Sequence, residues 1–378
     1  MPSAETLEFA KLLKPIAGPK PTGADLRADS SPGSLYYAVK DARTAARNAE
    51  RLQATGEEDD KANAAPPDWK AVLQNAVKAL AEKTKDLEVT AYLIEAQVRL
   101  HGFAGLRDGF RLARELVEHY WEGLYPLPDE DGPETRVAAL TGLNGDDAEG
   151  TLLVPIARVP LTEATSVGRL DSTHYQQAVV LGKLTDPRLR EQKLAAGTLA
   201  LEAFQRAVEE SSAPFYRDLV EDLGQCLEEF TQLGAALDAR CNGHAPPTFQ
   251  IRTALESSLD VLKDVARAKL AVAPPPAAEA PTANGTPAPA SGSAAGPGEA
   301  LDGLRSRDDA FRHLLQVAAF FQRTEPHSIV PYALEQVVRW GRTSLPDLLT
   351  ELIPDDTPRN IFFKQVGIRV AEPPRGDA

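Results

Sequence analysis

The sequence predicts a mainly α-helical protein: a helical N-terminal region with one small strand pair, a disordered Pro/Ala/Gly linker, and a compact helical C-terminal module. Three observations carry this. Before residue 271, apolar residues recur three or four apart in nearly every long segment, the spacing that puts them on one face of a helix. From Ala271 to Ala300, 7 Pro, 4 Gly and 11 Ala make up 22 of 30 residues, and Val272 is the only larger hydrophobe. Such a segment builds no core and reads as a tether. Beyond it the helical stripes resume. The expected domains are therefore 1–150, a middle helical region 151–270, the linker 271–300 and a C-terminal module 301–370.

Taken in order, Trp69 to Leu80 and Val89 to Leu100 read as amphipathic helices. Phe103, Leu106, Phe110, Ala113, Val117, Tyr120, Trp121 and Leu124 form the stripe of a long helix. Gly105 and Gly109 stand four apart on it and permit close approach of another helix. Between Leu152 and Leu170, short apolar runs broken by Pro155, Pro160 and Gly168 suggest the strand pair. Thr173 and Gln176 have capping-box spacing for the next helix. Gln192 to Val208 and Phe249 to Leu270 are each expected as one helix. Phe215 to Ala239 is the longest expected helix, started by Ser212 and Pro214, with Cys226 in its apolar stripe.

After the linker, Asp308 to Arg323 is a helix with Phe311, Leu314, Leu315, Ala318 and Phe321 as its stripe, ended by Pro326. Ser328 is placed to cap the next helix, with Pro331 in its first turn and Val330, Ala333, Leu334, Val337 and Val338 facing inward. Ser344 and Asp347 repeat the cap pattern, and a last short helix carries Ile361, Phe362 and Val366.

Charge and composition exclude several functions. The net charge of -14 repels phosphate backbones, which disfavours nucleic acid as main partner. Cys226 and Cys241 are the only cysteines, expected as free thiols in a reducing compartment. No stretch approaches the length of an apolar membrane span, and the first 20 residues lack the features of a secretion signal. The six histidines make no zinc-helix spacing, and no phosphate-cradling glycine loop is present. No metal, cofactor or catalytic residue is expected. The acid-rich run Asp129 to Glu149 lacks calcium-loop register and reads as a solvated loop.

Two places remain as candidate contact sites. Trp121, Tyr125 and Pro126 make an aromatic helix end, either core or a docking patch. The C-terminal module is small for its apolar content, so Phe311, Leu314, Val330, Tyr332, Leu334, Val338, Arg339, Trp340 and Phe362 are candidates for its core and for subunit contacts.

Three stretches resemble the TssA family, or ImpA-related proteins, of the bacterial type VI secretion system. The first runs from Pro15-Ile16 through Gly23-Ala-Asp-Leu-Arg27. The second joins Asp68-Trp69, Asp86-Leu87 and His119-Tyr-Trp-Glu-Gly-Leu-Tyr-Pro126. The third is Arg323-Thr-Glu-Pro326-His327-Ser328-Ile-Val-Pro331-Tyr332, continuing to Val338-Arg-Trp-Gly341 and Leu345-Pro-Asp-Leu348. The last resembles the C-terminal module of family forms related to a phage baseplate wedge protein. The resemblance implies a non-enzymatic, cytoplasmic bacterial component of the secretion baseplate and tail. Its C-terminal module would self-associate into a ring and contact the baseplate or the tail tube and sheath, and its N-terminal domain would project on the tether to recruit other components, with the membrane complex as a further candidate partner. The rival readings are a helical-hairpin adaptor unrelated to secretion and, less favoured, an enzyme.

Overall fold

The computed structural model describes residues 2–31, 33–55, 65–129, 132, 134–146, 148–271, 307–324, 330–343 and 348. The chain divides into two units, Met1–Glu279 and Ala280–Ala378. Among the described residues it is mainly α-helical, and its strand content is confined to isolated bridges.

In the first unit, α1 (Phe9–Leu12) and a 3-10 turn (Leu26–Ala28) precede α2 (Leu35–Thr55) and α3 (Trp69–Glu82). The Asp68 side chain accepts from Ala71 N and starts α3, supplying one of the amide partners a helix N-terminus lacks. α4 (Leu87–Tyr120) reverses at Gly102, whose φ of 59° and ψ of -138° suit glycine alone. Its two arms then pack side by side. A Cβ on Gly105 would lie 2.4 Å from the Gln97 carbonyl oxygen, and one on Gly109 would lie 2.9 Å from the Ile94 side chain. In an unbroken helix, residues 94 and 109 would stand roughly 22 Å apart. The helix that Gly105 and Gly109 admit is thus the first arm of their own element. That arm is buried on all sides from Val89 to Val98, the mark of a central helix.

α5 (Glu134–Asn144), α6 (Leu153–Ala157), α7 (Ser172–Lys183), α8 (Pro187–Ala195) and α9 (Leu201–Glu210) follow. α10 (Ala213–Cys241) packs along the second arm of α4, with the Phe110 and Phe230 rings 4.8 Å apart. Ser212 caps it by accepting from Phe215 N, and Pro214 occupies its first turn. Cys226 and Cys241 are free and buried, and burial pushes both thiols up. α11 (Phe249–Val265) and α12 (Arg267–Leu270) complete the unit.

A buried charged staple holds the N-terminal segment on this core. Arg107 donates to Asp108 at 2.8 Å and to Asp222 of α10 at 3.0 Å, while Ser3 and Thr6 donate to the same two carboxylates. Burial makes each charge costly unless paired, so the staple depends on having all its members.

Five expectations are corrected. The strand pair between Leu152 and Leu170 is a short helix, α6, followed by a chain reversal closed by single bridges, Pro160 to Asp171 and Thr165 to Gly168. Pro155 sits in the first turn of α6, where its missing amide proton costs little. Asp171, not Thr173, caps α7, in a reciprocal capping box with His174. Gly197, with φ of 90°, splits the expected helix from Gln192 to Val208 into α8 and α9, and Ala266 separates α11 from α12. The acidic run is not one loop. α5 lies inside it and buries Arg136, Val137, Leu140 and Leu143.

In the second unit, α13 (Arg307–Thr324) and α14 (Val330–Arg342) form an antiparallel hairpin. Gln322 bonds Glu335 at one end, and a Cβ on Gly341 would meet the Phe311 ring at the other. Ala318 and Val338 are buried within it. The expected linker from 272, the cap at Ser328 and the last short helix lie outside the described residues.

Candidate functional site

The second arm of α4 runs into a 3-10 turn, Trp121–Gly123, and then Tyr125 and Pro126, which are joined by a cis peptide bond. This helix end is built into the core on one side. Tyr125 N donates to the Lys85 carbonyl at 3.0 Å, and Leu87 N donates to the Tyr125 carbonyl at 2.8 Å, tying the turn to the start of α4. Leu124 and Tyr125 are buried. A Cβ on Gly123 would lie 2.9 Å from Thr22 Oγ1, so the turn approaches the segment after α1 closely.

The other side is open. A cleft of about 530 Å³ is lined by Lys20 to Thr22, Glu118 to Gly123, Tyr125, Leu127 and Arg240. Trp121 and Tyr120 are half-buried in it, Leu127 is 46% exposed, and Glu118, His119 and Glu122 are exposed at its rim. An apolar patch within a mixed-charge rim is the composition of a docking surface.

Arg136 of α5 holds this surface from beneath. It donates through Nη1 to the Trp121 carbonyl at 2.7 Å and through Nε to the Pro126 carbonyl at 3.0 Å, and its guanidinium lies 4.6 Å from the Trp121 ring centroid. Burial pulls Arg136 below the ordinary guanidinium value, with Glu122 offsetting part of this. The sequence reading saw only a lone cation among acids. The signal it missed was the three-residue spacing of Val137, Leu140 and Leu143, which places a helix there.

A second polar system joins the Gly23–Arg27 segment to α2 and α4. Arg27 donates to Asp86 at 2.7 Å and to Glu88 at 2.5 Å, and Glu88 accepts from Tyr36 and Tyr92. Burial pushes Glu88 up, and the Tyr92 hydroxyl and Arg27 more than reverse that, leaving it below the usual range. Burial, with the Glu88 charge, pushes Tyr36 up to about 12. Burial raises Asp86 in spite of Arg27. Beside them Lys85 is buried, donating to the carbonyls of Leu12 and Leu80, and burial pulls it down to about 8. These groups are structural: every one is spent on another part of the same unit.

In the second unit the expected residues divide. Val338 is buried, Phe311, Leu314, Leu334 and Trp340 are half-buried, and Tyr332 and Arg339 are exposed. Pro331 lies in the first turn of α14 and is buried. Pro326, His327, Ser328 and Phe362 lie outside the described residues, as does the side chain of Val330.

A family model for the N-terminal region of ImpA in type VI secretion systems matches residues 13–145. The type VI secretion system component TssA1 of Pseudomonas aeruginosa is 27% identical over 361 residues, which is 92% of this chain and 96% of that protein. The chain is thus similar to TssA proteins, by family model over residues 13–145 and by sequence along nearly its whole length. Its fold is similar to the solved N-terminal domain, including the ImpA_N region, of the TssA component from Burkholderia cenocepacia. That likeness has a TM-score of 0.58 and 24% identity, and covers 70% of this chain and 95% of that one. The matched residues take in the Arg27 system and all of the Trp121 cleft but Arg240, and the α13–α14 hairpin lies beyond them. TssA proteins are type VI secretion components, and no helix among the described residues is long and apolar enough to cross a membrane.

Proposed function

We propose that this chain is a non-enzymatic assembly component of the type VI secretion baseplate and tail. Its C-terminal hairpin self-associates into a ring-like homo-oligomer, and its N-terminal unit recruits baseplate, tube and sheath proteins through the Trp121 cleft. The chain would act in the cytoplasm and join the membrane-bound apparatus through those partners. The similarity to TssA1 over nearly the whole of both chains carries the assignment to the secretion apparatus. Support for self-association comes from the hairpin, where Tyr332 is 66% exposed, and Leu315, Val317 and Val337 are exposed too. These exposed apolar side chains on both helices are available for contact with other copies. Support for binding rather than chemistry comes from the cleft, whose lining is an apolar patch within a mixed-charge rim and where His119 spends Nδ1 on the Glu115 carbonyl. Copies arrayed on a ring and joined by a Pro/Ala/Gly tether would gain avidity for repeated partners.

The test is complementation of a bacterium deleted for this gene, reading release of the tube protein into the medium. Glu122→Lys with Leu127→Asp changes only exposed cleft residues. It should cut release at least about tenfold while the helical content is kept. Full release by that variant would remove the cleft from the reading, and full release by the deletion strain would remove the secretion role.

A further inference from the structure

On α2, Arg43, Arg47 and Arg51 stand four residues apart and share one face, an arrangement of like charges that weakens a helix by itself. Arg43 is balanced by Glu95, with Nη2 to Oε1 at 3.0 Å. Arg47 and Arg51 are exposed, and among the described residues no carboxylate comes within ion-pair distance of either. They line a groove of about 860 Å³, together with Lys70 at the start of α3 and Arg158 just after α6. Lys70 and Arg158 are exposed and equally without a carboxylate partner among the described residues. The groove's own acids do not cancel these charges. Glu50 is taken by Arg99, at 2.7 and 3.0 Å, and by Trp69 Nε1, at 2.7 Å. Asp68 caps α3, which leaves Glu149 against four cations. This is a local reversal of sign in a chain of net charge -14.

The groove is shaped as well as charged. Its floor is fixed, because the Arg99 guanidinium lies 3.8 Å from the Trp69 ring centroid and Glu50 bonds both. One wall carries Val154, 45% exposed, with Thr151 and Pro155 beside it. The geometry points to a docking groove for an acidic segment of a partner protein that carries an apolar side chain, its carboxylates against Arg47, Arg51, Lys70 and Arg158 and its apolar group against Val154. Peptide is favoured over nucleic acid on two grounds. The chain's overall charge repels a long phosphate backbone, and Trp69 is buried, so the groove offers no aromatic face for base stacking. The groove shares no lining residue with the Trp121 cleft, so this inference stands or falls apart from the secretion role.

The experiment is fluorescence anisotropy on the full chain. Its probe is a short fluorescein-labelled peptide of glutamate pairs separated by single leucines. The groove variant is Arg47→Glu with Arg51→Glu. The control is Arg188→Glu with Arg190→Glu on α8, where both residues are exposed and the change in net charge is the same. Saturable binding by the wild type and the control, weakened at least about tenfold in the groove variant and by added salt, supports the groove. A glutamine version of the peptide should bind at least about tenfold more weakly than the glutamate one. Absence of saturable binding overturns the proposal, as does equal loss in the groove variant and the control. Tighter binding of single-stranded DNA of equal charge would reassign the groove to nucleic acid and overturn it too. Binding that appears only after Glu57, Glu58, Asp59 and Asp60 are replaced by their amides would assign the groove to this chain's own acidic run, again overturning it.

Discussion

The Arg136 guanidinium lies 4.6 Å from the Trp121 ring centroid and donates to the Trp121 carbonyl at 2.7 Å, so one side chain fixes both the ring and the backbone of the helix end. A third contact, to the Pro126 carbonyl, carries the same hold past the turn. The cleft therefore owes its shape to a residue on a different helix.

Arg136→Ala should cost about 3 kcal/mol, because two carbonyl oxygens lose their donor and a buried volume is left empty. Urea denaturation of the full chain reads this in the transition of the first unit, with tryptophan fluorescence reporting on Trp121. Arg136→Lys should recover only part of the loss, since an ammonium does not span both carbonyls in the guanidinium's fork geometry. A loss below about 0.5 kcal/mol for the alanine variant would show that Arg136 does not hold the turn.

Lys85 gives the first unit a pH signature. Its ordinary value of 10.5 falls to about 8 on folding because the ammonium is buried. A cation depressed in the folded state contributes stability that is fully present above 10.5 and is lost as pH falls through about 8. The wild type should therefore gain stability relative to Lys85→Met as pH rises from 8 towards 10. Cys226 and Cys241, raised by burial, act in the opposite sense at the alkaline end but are common to both chains and cancel in the comparison. Parallel stability curves for the two chains would contradict a buried, depressed Lys85.

Two glycines should respond oppositely to alanine. At Gly105 the new Cβ would sit 2.4 Å from the Gln97 carbonyl oxygen, so the two arms of α4 must part, at a cost of about 2 kcal/mol or more. At Gly142 in α5 nothing lies within 4 Å, and alanine should stabilise by up to about 1 kcal/mol. Thermal unfolding of both variants checks the pair. A neutral Gly105→Ala would mean the arms are not in contact there.

What the sequence revealed follows the range over which its signals act. The stripe from Phe103 to Leu124, the helix from Trp69 to Leu80 and the Ser212 and Pro214 start of α10 were legible because each is a local pattern of burial or capping. α2 was not read, since its buried face is only Tyr36, Val39 and Ala46 among many polar residues. α5 was hidden by the acids around it. The break at Gly197 was lost inside a pattern that stayed apolar on both sides. Of the candidate cleft, Trp121, Tyr125 and Pro126 were found as an aromatic helix end, but Arg136 was not assigned to it. The ties that shape the first unit, such as Arg27 to Asp86 and Arg107 to Asp222, join residues 59 and 115 apart. Periodicity carries no information at that distance.

The central claim, assembly through the C-terminal hairpin, is tested most directly by the mass of the full chain in solution at tens of micromolar, measured by sedimentation. The wild type should be a multimer. Tyr332→Glu with Val337→Glu, which alters exposed side chains only, should reduce it to a monomer with unchanged helical content, because charges on a subunit contact are costly to bury. Val338→Asp, at a buried position, should instead lower the helical content, separating loss of fold from loss of contact. A folded wild-type chain that is strictly monomeric, or a Tyr332→Glu/Val337→Glu chain that remains fully multimeric, would contradict the account.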